Sequence, residues 1–102
     1  MEQAASIIKN TVHEIFPDAQ VMLFGSRARG DFKLDSDYDI LVITSKELIP
    51  EEKMPYRTSI RKNLLSHKIF SDILIQSRSE ISVKRKLTGH IIKKILDDCV
   101  EL

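Results

Sequence analysis

The chain has one cysteine, Cys99, among its 102 residues. That count excludes an internal disulfide and a zinc site built from several cysteines. Tryptophan is absent, and there are only three glycines and three prolines. No Gly/Ser linker, low-complexity run or internal repeat divides the chain. Neither sign of charge dominates: sixteen Lys and Arg face fifteen Asp and Glu, a formal net charge of +1. This balance gives no support to a general nucleic-acid binder. The apolar runs are a few residues long, too short for a membrane span. The opening residues MEQAASIIKN lack the basic start and apolar stretch of a signal peptide. With 42% hydrophobic and 30% charged residues, the composition is that of a globular protein. The expectation is one small cytoplasmic domain over residues 1–102. So small a chain has little area for gripping a large substrate, which makes a partner chain plausible.

The hydrophobic pattern yields an ordered series of elements. In residues 2–16, Ala4, Ala5, Ile7, Ile8, Val12, Ile15 and Phe16 form one helical stripe that ends at Pro17-Asp18. Gln20 to Phe24 (QVMLF) reads as a buried strand, broken by Gly25-Ser26. Arg27 to Asp35 reads as a helical turn followed by a loop, with Gly30 relieving crowding at the end of the turn. Tyr38 to Thr44 (YDILVIT) is the strongest strand signal. Residues 45–55, with Pro50 and Pro55, read as a loop; Tyr56 to Ser66 follows as a helix turning Ile60, Leu64 and Leu65 inward. Ile69 to Gln76 (IFSDILIQ) is a third strand, and residues 79–99 form one or two helices with a break near Thr88-Gly89. The order predicts an α/β (α+β) domain, a small mixed β-sheet flanked by helices.

Three features carry chemistry. Gly25-Ser26 stands between a strand and a helical turn, where backbone N–H groups attract phosphate. By itself this pair is equally an ordinary strand-to-helix turn. Asp37 and Asp39 flank Tyr38 at the mouth of a strand, so alternation turns both carboxylates to one face. Like charges so close need a cation between them, and Mg²⁺ is held by one or two carboxylates plus substrate phosphates. The Asp35-Ser36-Asp37 run is also turn chemistry, but Asp39 leads directly into Ile40-Leu41-Val42-Ile43, where a lone charge is costly. Asp72 is the third feature, a single carboxylate inside an apolar strand. It is either an edge charge that discourages aggregation or a third metal carboxylate beside the other two. Three carboxylates can hold two Mg²⁺ ions.

The string GSRARGDFKLDSDYDILV, with the distant SDILI strand, resembles the minimal nucleotidyltransferases of the DNA polymerase β-like superfamily. The resemblance runs over nearly the whole chain. It implies the polymerase β-like nucleotidyltransferase fold. It implies that Gly25 and Ser26 contact a nucleoside triphosphate, that Asp37 and Asp39 bind both metal ions, and that Asp72 completes the second metal site and activates the acceptor hydroxyl. Arg27 and Arg29 are candidates for phosphate contacts, or an exposed polar helix face. The implied reaction moves AMP from ATP onto a hydroxyl. The implied partner is a HEPN-type RNase toxin, silenced by modification of a tyrosine, with this chain as its antitoxin. A homodimer and a hetero-oligomer are both open.

Two other functions compete with this one. A stoichiometric antitoxin would silence its partner by contact alone; the intact Asp37, Asp39 and Asp72 argue against it. An enzyme acting on a small molecule, as the similar aminoglycoside nucleotidyltransferases do, would need an added helical domain or the second wall of a homodimer. His13, His67 and His90 have no metal-ligand spacing and read as surface or capping residues. Cys99 reads as a small buried residue on an apolar stripe. Lys84-Arg85-Lys86 and Lys93-Lys94 read as a solvated helix face or a dock for acidic or phosphate groups. Tyr38 is expected to point inward, and Tyr56 outward as a candidate self-modification acceptor.

Overall fold

The computed structural model describes residues 2–102, and the side chains from residue 3 onward. The chain builds α1 (Glu2–Ile15), β1 (Gln20–Phe24), α2 (Ser26–Arg29), β2 (Tyr38–Thr44), α3 (Pro50–Ser66), β3 (Ser71–Ser77), α4 (Arg78–Lys84), α5 (Ile91–Asp98) and β4 (Val100–Glu101). The four strands form one mixed sheet in the order β3-β2-β1-β4. β1 runs antiparallel to β2 and β4, while β3 runs parallel to β2. A parallel pair needs a long crossover, and α3 supplies it.

Alternation along the strands divides the core between two faces. On one face Val21, Leu23, Ile40, Val42, Ile73 and Ile75 meet Ile8 and Val12 of α1 and Ile60 and Leu64 of α3. On the other, Leu41 and Ile43 meet Ile81 of α4 and Ile92 and Ile95 of α5. β2 is buried from Ile40 to Thr44 because it is a central strand covered on both faces.

Several expectations change. Residues 50–55 are helical, not loop: Pro50 opens α3, where its missing N–H matters least. The Glu52 carboxylate accepts the Ile49 N–H at 3.1 Å, closing the first turn. Pro55 sits inside α3 and forfeits only a bond to the carbonyl of Glu51, an exposed residue that water can solvate. Leu65 points outward, 52% exposed, because it lies one position beyond the Ile60–Leu64 stripe. β4 was not anticipated; two residues carry almost no periodic signal, and its pairing of Leu23 with Val100 joins distant segments. Cys99 is half-buried at the end of α5, its thiol donating to the Leu96 carbonyl at 3.4 Å, and is not part of the apolar stripe.

Two chain reversals set the geometry beside the site. Gly30 ends α2 in the left-handed region at φ 86°, its N–H donating to the Ser26 carbonyl at 2.9 Å. A Cβ there would meet nothing within 4 Å, so positive φ explains this glycine and crowding does not. At the end of α3, Lys68 takes the left-handed conformation at φ 61°. The Lys68 N–H donates to Leu65 O and the Ile69 N–H to Leu64 O, a Schellman closure with lysine in the position that usually holds glycine.

Candidate active site

The candidate residues gather where β1 ends and β2 and β3 begin. The antiparallel register sets Phe24 opposite Asp39, and the parallel register sets Asp39 opposite Asp72. The Gly25-Ser26 turn, Asp39 and Asp72 therefore lie in a row across three neighbouring strands. Asp37 precedes β2 by one residue and is exposed. β3 is an edge strand, so position alone would allow Asp72 to be a guarding edge charge. An edge charge, however, has no need of another carboxylate directly opposite, which is a destabilising pairing.

Gly25 has φ 73° and ψ −156°, a combination that only glycine adopts readily. A Cβ there would run into the Asp39 carboxylate, with Cγ at 3.1 Å and Cβ at 3.4 Å. The absent side chain is what lets the Asp39 carboxylate lie against the turn. The first helical bonds of α2 come from the Ala28 and Arg29 N–H groups to Gly25 O, at 3.1 and 3.0 Å. The N–H groups of Ser26 and Arg27 take no part in them and stand at the start of the turn, where anions are favoured.

Burial pushes the Asp39 carboxyl above the ordinary carboxylate range. The neighbouring charges of Asp72 and Asp37 push it further in the same direction, and Arg29 pulls it back. The site is thus short of positive charge. Among the described residues no three His, Cys, Asp or Glu side chains converge as a ready-made metal cage. Oxygen donors short of positive charge, beside a turn suited to phosphate, fit an ion that is completed by substrate phosphates.

The two arginines differ from each other. The Arg27 guanidinium donates to the carbonyls of Ser36 (3.0 and 3.2 Å) and Leu34 (3.3 Å). It also lies between the Phe32 ring at 4.2 Å and the Tyr38 ring at 4.4 Å. Its Nε and one terminal nitrogen are engaged by the loop before β2, so Arg27 braces the segment that carries Asp37. Arg29 is about half exposed and pairs with Asp31 at 3.3 Å and Asp98 at 3.5 Å.

The histidines are structural. The His13 ring bonds the Ala19 carbonyl at 3.0 Å, His67 the Asn63 carbonyl at 3.1 Å, and His90 accepts the Ile92 N–H at 3.1 Å to cap α5. Tyr56 stacks edge-on against Phe16, with centroids 4.9 Å apart. It lies beside Thr44 and Ser45 at the far end of β2, roughly 17 Å along the strand from Asp39 at about 3.3 Å per residue. It therefore does not reach the carboxylates of its own chain. Sequence reasoning missed a cavity lined by Asp37, Arg61, Lys62 and Ser71, whose walls come from distant segments.

A sequence model of one family, the nucleotidyltransferase domain, matches residues 5–102. The chain belongs to that family. As a nucleotidyltransferase it is 27% identical over 92 residues to a Haemophilus influenzae protein described as a probable protein adenylyltransferase, MntA, covering 79% of this chain and 81% of that one. Its fold is similar to that of a toxin–antitoxin crystal structure with AMP-PNP, with TM-score 0.69 and 18% identity over 95% of this chain and 70% of the other. It is likewise similar to a complex of the tri-AMPylated HEPN toxin of Shewanella oneidensis with its MNT antitoxin. There the TM-score is 0.60 at 18% identity, over 99% of this chain and 71% of the other. No helix among the described residues is long and apolar enough to cross a membrane.

Proposed function

We propose that this nucleotidyltransferase moves AMP from ATP onto a tyrosine hydroxyl of a HEPN-type toxin, and that it acts thereby as the antitoxin. The observation that carries the chemistry is the row of Gly25-Ser26, Asp39 and Asp72 across neighbouring strands. The adenylyl donor, the protein acceptor and the toxin partner are supported by the MntA relative and by the toxin–antitoxin complexes of the same fold.

The turn at Gly25-Ser26 would hold the triphosphate through backbone N–H groups and the Ser26 hydroxyl. Asp37, Asp39 and Asp72 would hold two Mg²⁺ ions. Bound Mg²⁺ supplies charge neutralisation at the transferring phosphoryl group and a more acidic acceptor hydroxyl. Asp72, at the end of the row away from the phosphate turn, would receive the hydroxyl proton. The hydroxyl oxygen bonds to the α-phosphorus, the bond to the β-phosphate oxygen breaks, and pyrophosphate leaves. Arg27 holds the loop that presents Asp37, and Arg29 tempers the repulsion at Asp39.

The test is transfer of label from α-phosphate-labelled ATP, with Mg²⁺, into an extract of the source cell. Wild type is run beside Asp37→Asn and Asp39→Asn. Label on one small protein, lost in both variants, supports a protein AMP-transferase and identifies its target. Label on RNA or a small molecule keeps the chemistry and moves the acceptor. No label in any fraction, with a partner still bound and silenced, sinks the catalytic reading in favour of stoichiometric binding.

A further inference from the structure

On the α3 side of Asp37 the surface opens into a cavity of about 390 Å³. Its walls include Arg61, Lys62, Leu65, Phe70 and Ser71. Lys62 is shared with a second hollow that reaches Met54, so the depression follows α3 as a groove. Ser71 is nine-tenths buried, and its Oγ has no hydrogen-bond partner among the described residues. A buried hydroxyl in that state is an unmet demand that a ligand can fill. Leu65 and Phe70 are 52% and 61% exposed, two large apolar side chains on one wall. Arg61 and Lys62 form no ion pair among the described residues, and the acids along the groove are Asp37 at the site end and Glu51 at the far end.

We infer that this groove seats the acceptor as an extended, acidic polypeptide segment, with an apolar side chain close to the hydroxyl that takes AMP. The inference rests on the AMP-transfer reading and adds the surface by which the acceptor is chosen. In a phosphoryl transfer the attacking and leaving oxygens stand on opposite sides of phosphorus. The phosphate turn follows β1, Asp39 lies on β2 and Asp72 on β3. The groove lies beneath α3, on the sheet face opposite the Asp39 and Asp72 side chains, and meets the site at Asp37, around the start of β3. Pyrophosphate departs on the β1 side, and a segment seated in the groove brings its hydroxyl past Asp37, around the start of β3, to the Asp72 side of the row. The two cations select an acidic segment, Leu65 and Phe70 receive its apolar side chain, and the Ser71 hydroxyl finds a partner in its backbone.

The test measures initial rates of label transfer from α-phosphate-labelled ATP into protein. One series dilutes the source-cell extract at fixed ATP; the other varies ATP at fixed extract. The double variant Arg61→Glu, Lys62→Glu is compared with wild type and with the charge-preserving Arg61→Lys, Lys62→Arg. The reversal is expected to raise the extract concentration for half-maximal labelling by about tenfold or more. The ATP dependence stays unchanged, and the charge-preserving pair stays near wild type. Leu65→Ser, an exposed position, serves as a second variant and moves the extract dependence in the same direction. A shift in the ATP dependence would make the groove a seat for the nucleoside and overturn the inference. So would a groove variant that leaves both series unmoved. A wild type that transfers nothing removes the AMP-transfer reading itself, an outcome told apart because the wild-type series is then blank.

Discussion

The two ends of β3 treat charge in opposite ways. At its start, Asp72 faces Asp39, and burial together with the charges of Asp72 and Asp37 raises the affinity of Asp39 for a proton. At its far end, Ser77 caps α4 and Glu80 is fully engaged. The Glu80 carboxylate accepts the Ser77 N–H at 2.8 Å and the Lys53 ammonium at 2.9 Å. Burial pushes Glu80 up, but the Ser77 N–H and Lys53 outweigh it and hold the carboxyl below its ordinary value. The backbone follows the same division: Lys68, the non-glycine residue at positive φ among the described residues, lies at the site end. One end is built for stability. The other keeps unmet negative charge, the usual tension between stability and activity.

That comparison can be broken from either end. Asp39→Asn carries the largest expected effect. Transfer activity should fall more than ~100-fold, since even groups behind a metal ligand cost about 10–100-fold. The same variant should melt at a higher temperature, because it removes a charge whose raised pKa burdens the folded state at neutral pH. Activity and Tm moving down together would contradict an uncompensated Asp39.

Gly25→Ala comes next. The new Cβ meets the Asp39 carboxylate and the backbone leaves its required conformation. A displacement of about 1 Å at reacting groups costs ~100-fold, so kcat should drop by that order while the melting curve shows a loss of about 1–3 kcal/mol. An unchanged kcat would mean that the close approach of turn and carboxylate has no catalytic use.

At the other end the signs reverse. Glu80→Gln should lower unfolding free energy by about 2 kcal/mol at pH 7, the scale for hydrogen bonds to a charged group. Its AMP transfer should stay within about twofold of wild type, since Glu80 is remote from the site. The pH dependence sharpens the point. Glu80 has a folded pKa below its ordinary 4.5. Its contribution is therefore complete above that ordinary value and is lost as pH falls through the lowered one. Denaturant titrations of wild type and variant should converge on acidification below about pH 4. A constant gap at all pH values would assign the loss to packing and not to charge.

Lys68→Gly is the smallest change. Replacing a left-handed lysine by glycine should add about 1 kcal/mol, read as a higher denaturant midpoint at unchanged m.

The site was legible where its logic is local. Gly25-Ser26 between a strand and a turn, Asp37 and Asp39 at a strand mouth, and Asp72 inside an apolar run are each readable within a few residues. The helix stripe of Ile8 and Val12 is equally local and is buried as its spacing implies. Hydrophobic period, turn chemistry and a carboxylate in an apolar strand act over one or two turns of chain, so the sequence carries them unaided. The register of Asp39 against Asp72, the pairing of β4 with β1, and the Lys53–Glu80 pair across 27 residues had to await the folded chain. So did the engagement of Arg27 by the loop carbonyls and the groove between α3 and β3. These depend on which distant segments share the core. That choice is made by burying two apolar faces of one sheet at once, and no short stretch of residues encodes it.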